Sequence, residues 1–438
     1  MTCNWRKVRL KDLISIKHGY AFKGEFMVDF QTNEVLVTPG NFAIGGGFKY
    51  GKLKYYQGDI PEKYILSPDD LVVTMTDLSK AGDTLGYSAL IPHDGNTYLH
   101  NQRIGLIEDI DPNILDKKFL YFLMRSPSYR QEVLASSTGT SVKHTSPTKI
   151  LDYEFMLPSL DEQRLIGNTL FVLEEKIANN TAMNQTLEKI AQRIFKSWFI
   201  DFDPVKANAE SVPFNGLSPE IQALFPSEFE ESELGLIPKG WEVTSVANFS
   251  INHRKNVNKE NIDPDMAYLG LEHINRKNLS ITDYGTGSDI DSNKSEFQKG
   301  DILLGKLRPY FHKVGLPVKH GVCSTDILVI RPNDDYLFEY VTNIVYQENL
   351  IAHLTSCSSG TRMPRAKWQD VEQYKIAAPK DHSVIKEFSR ITKSLYERMA
   401  LNCIGNSDFT KVRERLLPRL ISGKIIFSDE NQELKETA

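Results

Sequence analysis

The stretch from Asp161 to Trp198 reads DEQRLIGNTLFVLEEKIANNTAMNQTLEKIAQRIFKSW. Steps of four and three through it select Ile166, Leu170, Leu173, Ile177, Asn180, Asn184, Leu187, Ala191 and Ile194. This is an unbroken heptad seam with no proline and a single glycine, Gly167. At ~1.5 Å per residue the helix would be roughly 55 Å long, too long for an ordinary core helix. A second seam keeps the same register 222 residues later, through Phe388, Thr392, Leu395, Met399, Asn402, Asn406, Phe409, Arg413 and Leu416. Both asparagines recur, Asn180 and Asn184 against Asn402 and Asn406. The matched seams predict an intramolecular antiparallel coiled coil in a pseudo-twofold arrangement. Its asparagines would meet near the middle and set register at some cost in stability. Trp198 and Phe199, at the end of the first helix, are expected to be packing residues.

What flanks the two helices also repeats. Trp5, Leu10 and Leu13 align with Trp241, Val246 and Phe249, and Pro68–Thr74 aligns with Lys299–Gly305. Ser137-Thr-Gly-Thr140 aligns with Ser358-Ser-Gly-Thr361, and Tyr153 and Pro158 with Tyr374 and Pro379. The offset drifts from 236 through 231 to 221 while the order is kept, as in diverged copies with unequal loops. Each copy reads as an α+β (mixed α/β) domain of short strands separated by turn residues, and in the first copy a helix is expected at 117–125. The organisation predicted is a first domain at 1–157, a central helix at 158–202 and a connector at 203–237. A second domain at 238–379, a C-terminal helix at 380–425 and a polar tail at 426–438 follow. Ser159 or Asp161 is the expected N-cap of the first long helix, and Pro418 and Gly423 mark the end of the second. The connector, with four prolines and a Glu228–Glu233 acidic cluster, is expected to be exposed and to carry a short helix at 219–224.

Composition narrows the function. With 40% hydrophobic and 25% charged residues over 438 positions, the chain reads as a multidomain soluble protein. It has no apolar run of the ~18 residues that a membrane span requires, and its first residues form no hydrophobic signal core. A cytoplasmic location is expected. Cys3, Cys323, Cys357 and Cys403 are scattered, which disfavours a disulfide framework or a zinc site. The net charge of −5 gives no global field for nucleic acid. Phosphate-loop, dinucleotide, zincin and nucleophile-elbow motifs are missing, as is the Asn/Asp-Pro-Pro-aromatic motif of amino-methyltransferases. Asp116-x-Lys118 and Glu174-x-Lys176 are read as solvated helix charges rather than nuclease fragments. No catalytic residue and no metal ligand is assigned.

The positive signal is local and repeated. Asp301 to Asp326 holds no acid between its ends but carries Lys306, Arg308, His312 and Lys313, interleaved with Tyr310 and Phe311. Glu348 to Asp370 likewise holds Arg362, Arg365 and Lys367 beside Ser358-Ser-Gly-Thr361. The matching window of the first copy carries Lys143, His144 and Lys149 beside Ser137-Thr-Gly-Thr140. Glycine and small hydroxyl residues let backbone amides approach phosphates, which Arg and Lys neutralise. These ten basic residues are the candidate DNA contacts.

At this point the chain resembles the specificity subunits of type I restriction–modification systems. The residues that carry the resemblance are the domain-plus-helix repeat, Gly235-Leu-Ile-Pro-Lys-Gly-Trp241-Glu-Val and Leu157-Pro-Ser-Leu-Asp-Glu162-Gln163. Ile194-Phe-Lys-Ser-Trp198-Phe-Ile-Asp-Phe202 and Leu417-Pro-Arg-Leu-Ile-Ser-Gly423-Lys-Ile complete it. Asp381-His-Ser-Val departs from the family's Glu-Gln approach to the second helix. The resemblance implies two target recognition domains, each reading one half of a bipartite site on double-stranded DNA. It also implies helices that space them and dock two methyltransferase subunits, with restriction/translocase subunits joining for cleavage. S-adenosylmethionine would be held by the partner methyltransferases, with no cofactor in this chain. The alternatives are the specificity chain of a type II-like enzyme with a separate catalytic subunit, or a coiled-coil scaffold without DNA.

Overall fold

Ser159 starts the central helix. Its hydroxyl accepts from the Glu162 amide at 3.4 Å, while Glu162 Oε2 accepts from the Ser159 amide at 3.0 Å, so two otherwise orphaned amides are satisfied. The helix runs Leu160–Phe199 in the computed structural model, which describes residues 5–51, 53–358, 363–427 and, as backbone, 434–436. The C-terminal helix, Ser383–Ile421, begins where Asp381 Oδ1 accepts from the Ser383 amide at 3.1 Å. Pro418 does not stop it, because a proline so near the end forfeits a single amide bond and the last turn closes past it. Gly423, at φ +70°, marks the stop.

The chain divides into two units, Met1–Glu175 with Thr410–Ala438, and Lys176–Phe409, so each long helix gives its larger part to the second unit and the rest to the first. In the second unit the two halves run antiparallel. Asn180 Nδ2 donates to Asn406 Oδ1 at 2.9 Å and Asn402 Nδ2 to Asn184 Oδ1 at 2.8 Å. Asn184 Nδ2 also reaches the Met399 carbonyl at 3.1 Å and Ser280 Oγ at 3.0 Å. The expected meeting of the asparagines is therefore what pairs the helices, and every seam residue from Ile166 to Leu416 is buried or half-buried. Replacing Asn184 alone by Leu leaves the Asn402 amide without its acceptor. We expect it to destabilise the protein by about 1–3 kcal/mol. Replacing Asn184 and Asn402 together by Leu should recover most of that loss, since both buried polar partners go at once. Thermal unfolding of the two variants checks this. A double variant no more stable than the single one would refute it.

Each unit builds the same scaffold. In the first, a four-stranded antiparallel sheet orders Ser15–His18, Ile104–Glu108, Leu71–Thr74 and Ser88–Leu90. In the second, the order is Ser250–Asn252, Ile327–Pro332, Ile302–Gly305 and Val314–Gly315. A five-stranded sheet accompanies each, with one parallel pair apiece: Glu34–Val37 with Thr97–His100, and Ala267–Leu269 with Gly321–Cys323. The copies diverge at one edge. Met27–Val28 joins Lys54–Tyr56, whereas its counterpart Asn256–Val257 joins Lys294–Phe297 at the opposite edge. Each domain begins and ends in a two-stranded ladder, Arg6–Arg9 with Glu154–Leu157 and Trp241–Ser245 with Lys375–Pro379.

Two expectations change. The connector is not wholly exposed: it forms helices Asp203–Ala209 and Pro219–Gln222 and a hairpin of Phe229–Ser232 with Gly235–Pro238. Val205, Phe225 and Ile237 are buried in the second unit's core. Three apolar anchors spread through proline- and glutamate-rich sequence carry no period, so composition hid them. There Trp198 meets Phe225 at 5.2 Å between ring centroids, and Phe199 meets Tyr340 at 4.9 Å and Phe388 at 5.4 Å. Glu174 is not a solvated helix charge either. In the first unit it accepts two bonds from Arg125 Nη1, at 2.9 and 3.0 Å, and one from Tyr121 at 3.1 Å, with Arg413 at 3.7 Å. Asp116, the other suspected fragment, caps the helix Lys117–Leu123 by accepting from the Phe119 amide.

Candidate nucleic-acid interface

The four-stranded sheet of each unit has a central strand, Leu71–Thr74 or Ile302–Gly305, that is fully buried. The chain leaves that strand into a turn, and much later in sequence the basic loop returns to pair beside it. In the first copy Lys143–His144 pairs antiparallel with Thr76–Asp77, placing His144 opposite Thr76. In the second copy Arg365 bridges Leu307 in the same antiparallel sense. Thr76 and Leu307 are 231 apart, and His144 and Arg365 are 221 apart, the offsets read from the repeat on either side. The contact is thus the same contact made twice.

In the second copy the Ala366 amide donates to the Lys306 carbonyl at 3.0 Å and the Arg308 amide to the Pro364 carbonyl at 2.8 Å. Arg365 lies 3.1 Å from the Asp326 carboxylate and keeps half of its side chain in solvent. Arg308 and Lys367 are exposed. Lys306 is half-buried and donates to the Thr325 carbonyl at 2.6 Å. Burial holds its ammonium below the usual lysine range, Asp326 opposing and Arg254 adding to the effect. Lys313 is lowered in the same way, by burial and then by Arg276, and donates to the Leu271 carbonyl.

His312 drops out of the proposed contacts. It is 2% exposed, its ring lies 4.5 Å from that of Tyr346, and its Nδ1 is 3.6 Å from Glu348. Burial pulls its pKa down, so the ring is held neutral. Spacing could not reveal this, because the turn reverses within two residues and sends Tyr310 out and His312 in. Arg362 and Ser359-Gly360-Thr361 lie outside the described residues.

In the first copy His144 is exposed, with Nδ1 3.2 Å from Thr76 Oγ1, and Lys143 is half-buried. Lys149 donates to the Ser136 carbonyl and so serves its own loop. Asp77 anchors the turn by accepting from the Ser79 amide and the Thr84 hydroxyl, each at 2.6 Å, and from the Thr84 amide. Burial pushes its carboxyl up, but those donors outweigh burial and hold it below the usual range.

Two cations escaped the sequence reading. Arg254 acts on Lys306, and the Arg276 guanidinium lies 3.5 Å from the centroid of Phe311. Arg276 falls 231 positions after Gly45, in the loop that follows the fourth strand of the copy. Its signal was the repeat alignment rather than any cluster of charge.

Residues 3–189 match the family described as the type I restriction modification DNA specificity domain. The "Type I restriction enzyme HindI specificity subunit" of Haemophilus influenzae is 25% identical over 409 residues, covering 79% of this chain and 87% of that protein. Over most of its length the chain is thus similar to specificity subunits of type I restriction–modification systems. Another such specificity subunit, MjaIX of Methanocaldococcus jannaschii, is 24% identical over 323 residues, covering 70% of this chain and 69% of its own length. The crystal structure of a type I restriction–modification S subunit from M. genitalium covers 96% of each chain at 15% identity with a TM-score of 0.58, and so shares the fold. The family match begins ahead of the first ladder and ends within the central helix, spanning the first domain with its basic loop. Gln163, one of the residues that carry the resemblance, has a structural task. Buried in the first unit, it accepts from the Asp116 amide at 2.9 Å and donates to the Ile114 and Pro158 carbonyls. It thus locks the helix start to the first domain. Among the described residues no helix is long and apolar enough to cross a membrane.

Proposed function

We propose that this chain is the DNA-recognition subunit of a type I restriction–modification complex, each domain reading one half of a bipartite site. The observation that carries the reading is the loop-to-strand pairing made twice, His144 on Thr76 and Arg365 on Leu307, each bringing unlike cations to the same place. Arg308, Arg365, Lys367 and His144 are the exposed members of the surface. They serve as phosphate contacts, with Arg also suited to bidentate reading of guanine. Because the two copies carry different residues there, the two half-sites differ. The helices hold the readers about one turn of DNA apart, ~34–36 Å, and their outer faces dock two methyltransferase subunits, joined by restriction subunits for cleavage. The chain itself is non-catalytic and cytoplasmic, and S-adenosylmethionine belongs to the methyltransferase partners.

Methylome sequencing of cells that carry the chain with its partner subunits tests the reading directly. A gapped motif with unlike halves is expected; methylation without such a motif would refute it. Helix length sets the gap. Adding four residues after Glu175 and four after Phe409 lengthens both helices by ~6 Å, while keeping the Glu174–Arg413 and Asn180–Asn406 pairings within their own units. The motif should gain about two base pairs of spacer at 3.4 Å each, with both halves unchanged. An active complex with an unaltered spacer would sink the ruler role.

A further inference from the structure

The turn that follows the central strand has features that phosphate binding does not explain. In the second copy it is Arg308-Pro-Tyr-Phe-His312, and three non-glycine residues around it adopt left-handed backbone: Arg308, His312 and Lys277, each at φ +50°. The Lys277 amide donates to the His312 carbonyl at 2.9 Å, which joins two of these positions. Left-handed backbone is unfavourable for side chains other than glycine and persists only where the surroundings impose it. Here they do. His312 is buried against Tyr346, and the Phe311 ring centroid lies 3.5 Å from the Arg276 guanidinium and 5.7 Å from that of Arg308. The anchored turn displays Tyr310, half exposed, its ring edge-on to Phe311 at 4.9 Å.

The first copy anchors its counterpart by different means and shows a comparable tip. Asp77 holds the loop from Ser79 to Thr84, and the Arg130 guanidinium donates to the Gly82 and Leu85 carbonyls. The residue displayed is Leu78, 66% exposed, with exposed Lys80 close by in sequence. In the aligned turns Leu78 and Tyr310 fall one position apart. A lone exposed apolar residue is common on any surface. A rigidly held one at the same turn of both copies, next to the basic loop, is a presented one.

We infer that this turn is the base-contacting tip of each domain, Leu78 in the first and Tyr310 in the second, packing against base edges while the neighbouring cations hold phosphates. Apolar side chains that enter a groove read the thymine methyl or wedge between base steps. Unlike tips on a shared scaffold then give unlike half-sites. The inference rests on the DNA-recognition reading above.

The test is methylome sequencing of the intact complex with Leu78→Ala, Tyr310→Ala and Tyr310→Phe, together with competition binding of duplexes altered in one half. Leu78→Ala should relax base preference in one half of the motif and Tyr310→Ala in the other. The preference at the affected positions should fall about tenfold, as for loss of one base contact. Tyr310→Phe should keep the wild-type motif, because the ring makes the contact. Both tips are exposed, so thermal unfolding should not change. If both alanine variants keep the motif, if either relaxes both halves, or if Tyr310→Phe behaves as Tyr310→Ala, the inference falls. A wild-type complex with no bipartite motif would instead overturn the recognition reading itself.

Discussion

Exchanging residues 238–379 for the corresponding domain of another specificity subunit should change one half of the methylated motif and leave the other half and the spacer as they were. The physical basis is the way the domain is inserted. Its first and last strands pair directly, Trp241 opposite Pro379 and Ser245 opposite Lys375, so the two cut points lie side by side on one ladder. Everything between them can be replaced without moving the helix that begins at Ser383. One condition follows from the packing. Trp241 meets Phe202 at 5.6 Å and Phe199 at 5.9 Å, so the donor must keep tryptophan there. Without it the core loses a large aromatic, at about 3–5 kcal/mol. Methylomes of parent and exchange should share one half-site. If both halves changed, the two domains would not be independent readers.

Arg125→Ala should destabilise the first unit by about 3–5 kcal/mol, the range for breaking a buried ion pair from one side. The Arg125 side chain is 2% exposed and makes three bonds: two to Glu174, and one of 2.7 Å from Nε to the Gly45 carbonyl. Its guanidinium also lies 4.6 Å from the Tyr121 ring centroid and 5.1 Å from that of Phe122. Burial acts against its charge, but Tyr121 and Glu174 overcome it and raise its pKa. Arg413 is lowered instead, by burial and then by Arg125 beside it. One carboxylate therefore serves a buried and a half-buried arginine, and Arg125 has the better geometry. Lysine cannot reproduce that fork, so Arg125→Lys should recover less than half of the loss. Chemical denaturation followed by far-ultraviolet circular dichroism measures both variants. A change below about 1 kcal/mol for Arg125→Ala would mean that the pair behaves as a surface bridge. The three glycines at 45–47 are part of this arrangement. Each has φ +88°, and a Cβ on Gly46 would lie 2.5 Å from Arg125 Nε. The loop must be bare there for the guanidinium to reach the carbonyl.

Much of this architecture was legible because it is periodic or repeated. Heptads name the residues that face a partner helix, and the recurrence of Asn180 and Asn184 at Asn402 and Asn406 stated which would meet. Repeat offsets identified the second domain and, read onto the structure, matched the contact of His144 with that of Arg365. What stayed hidden has no period. Val205, Phe225 and Ile237 are single anchors in a segment whose composition looks solvated. Glu174 sits at an unremarkable helix position, and its partner Arg125 is distant in sequence and carries no pattern.

By itself the sequence determined that there are two like domains, two long helices and an asparagine register between them. Those features follow from local periodicity and from self-similarity, which survive without any knowledge of contacts. Only the tertiary structure decided which charges face solvent. Of the cations in the acid-free windows, His312 turns inward, Lys306, Lys313 and Lys149 are held by carbonyls, and Arg308, Arg365, Lys367 and His144 stay exposed, Arg365 beside Asp326. That choice depends on a reversal of the chain within a few residues and on neighbours from elsewhere in the fold, such as Tyr346 and Glu348. Charge spacing along a line does not encode it.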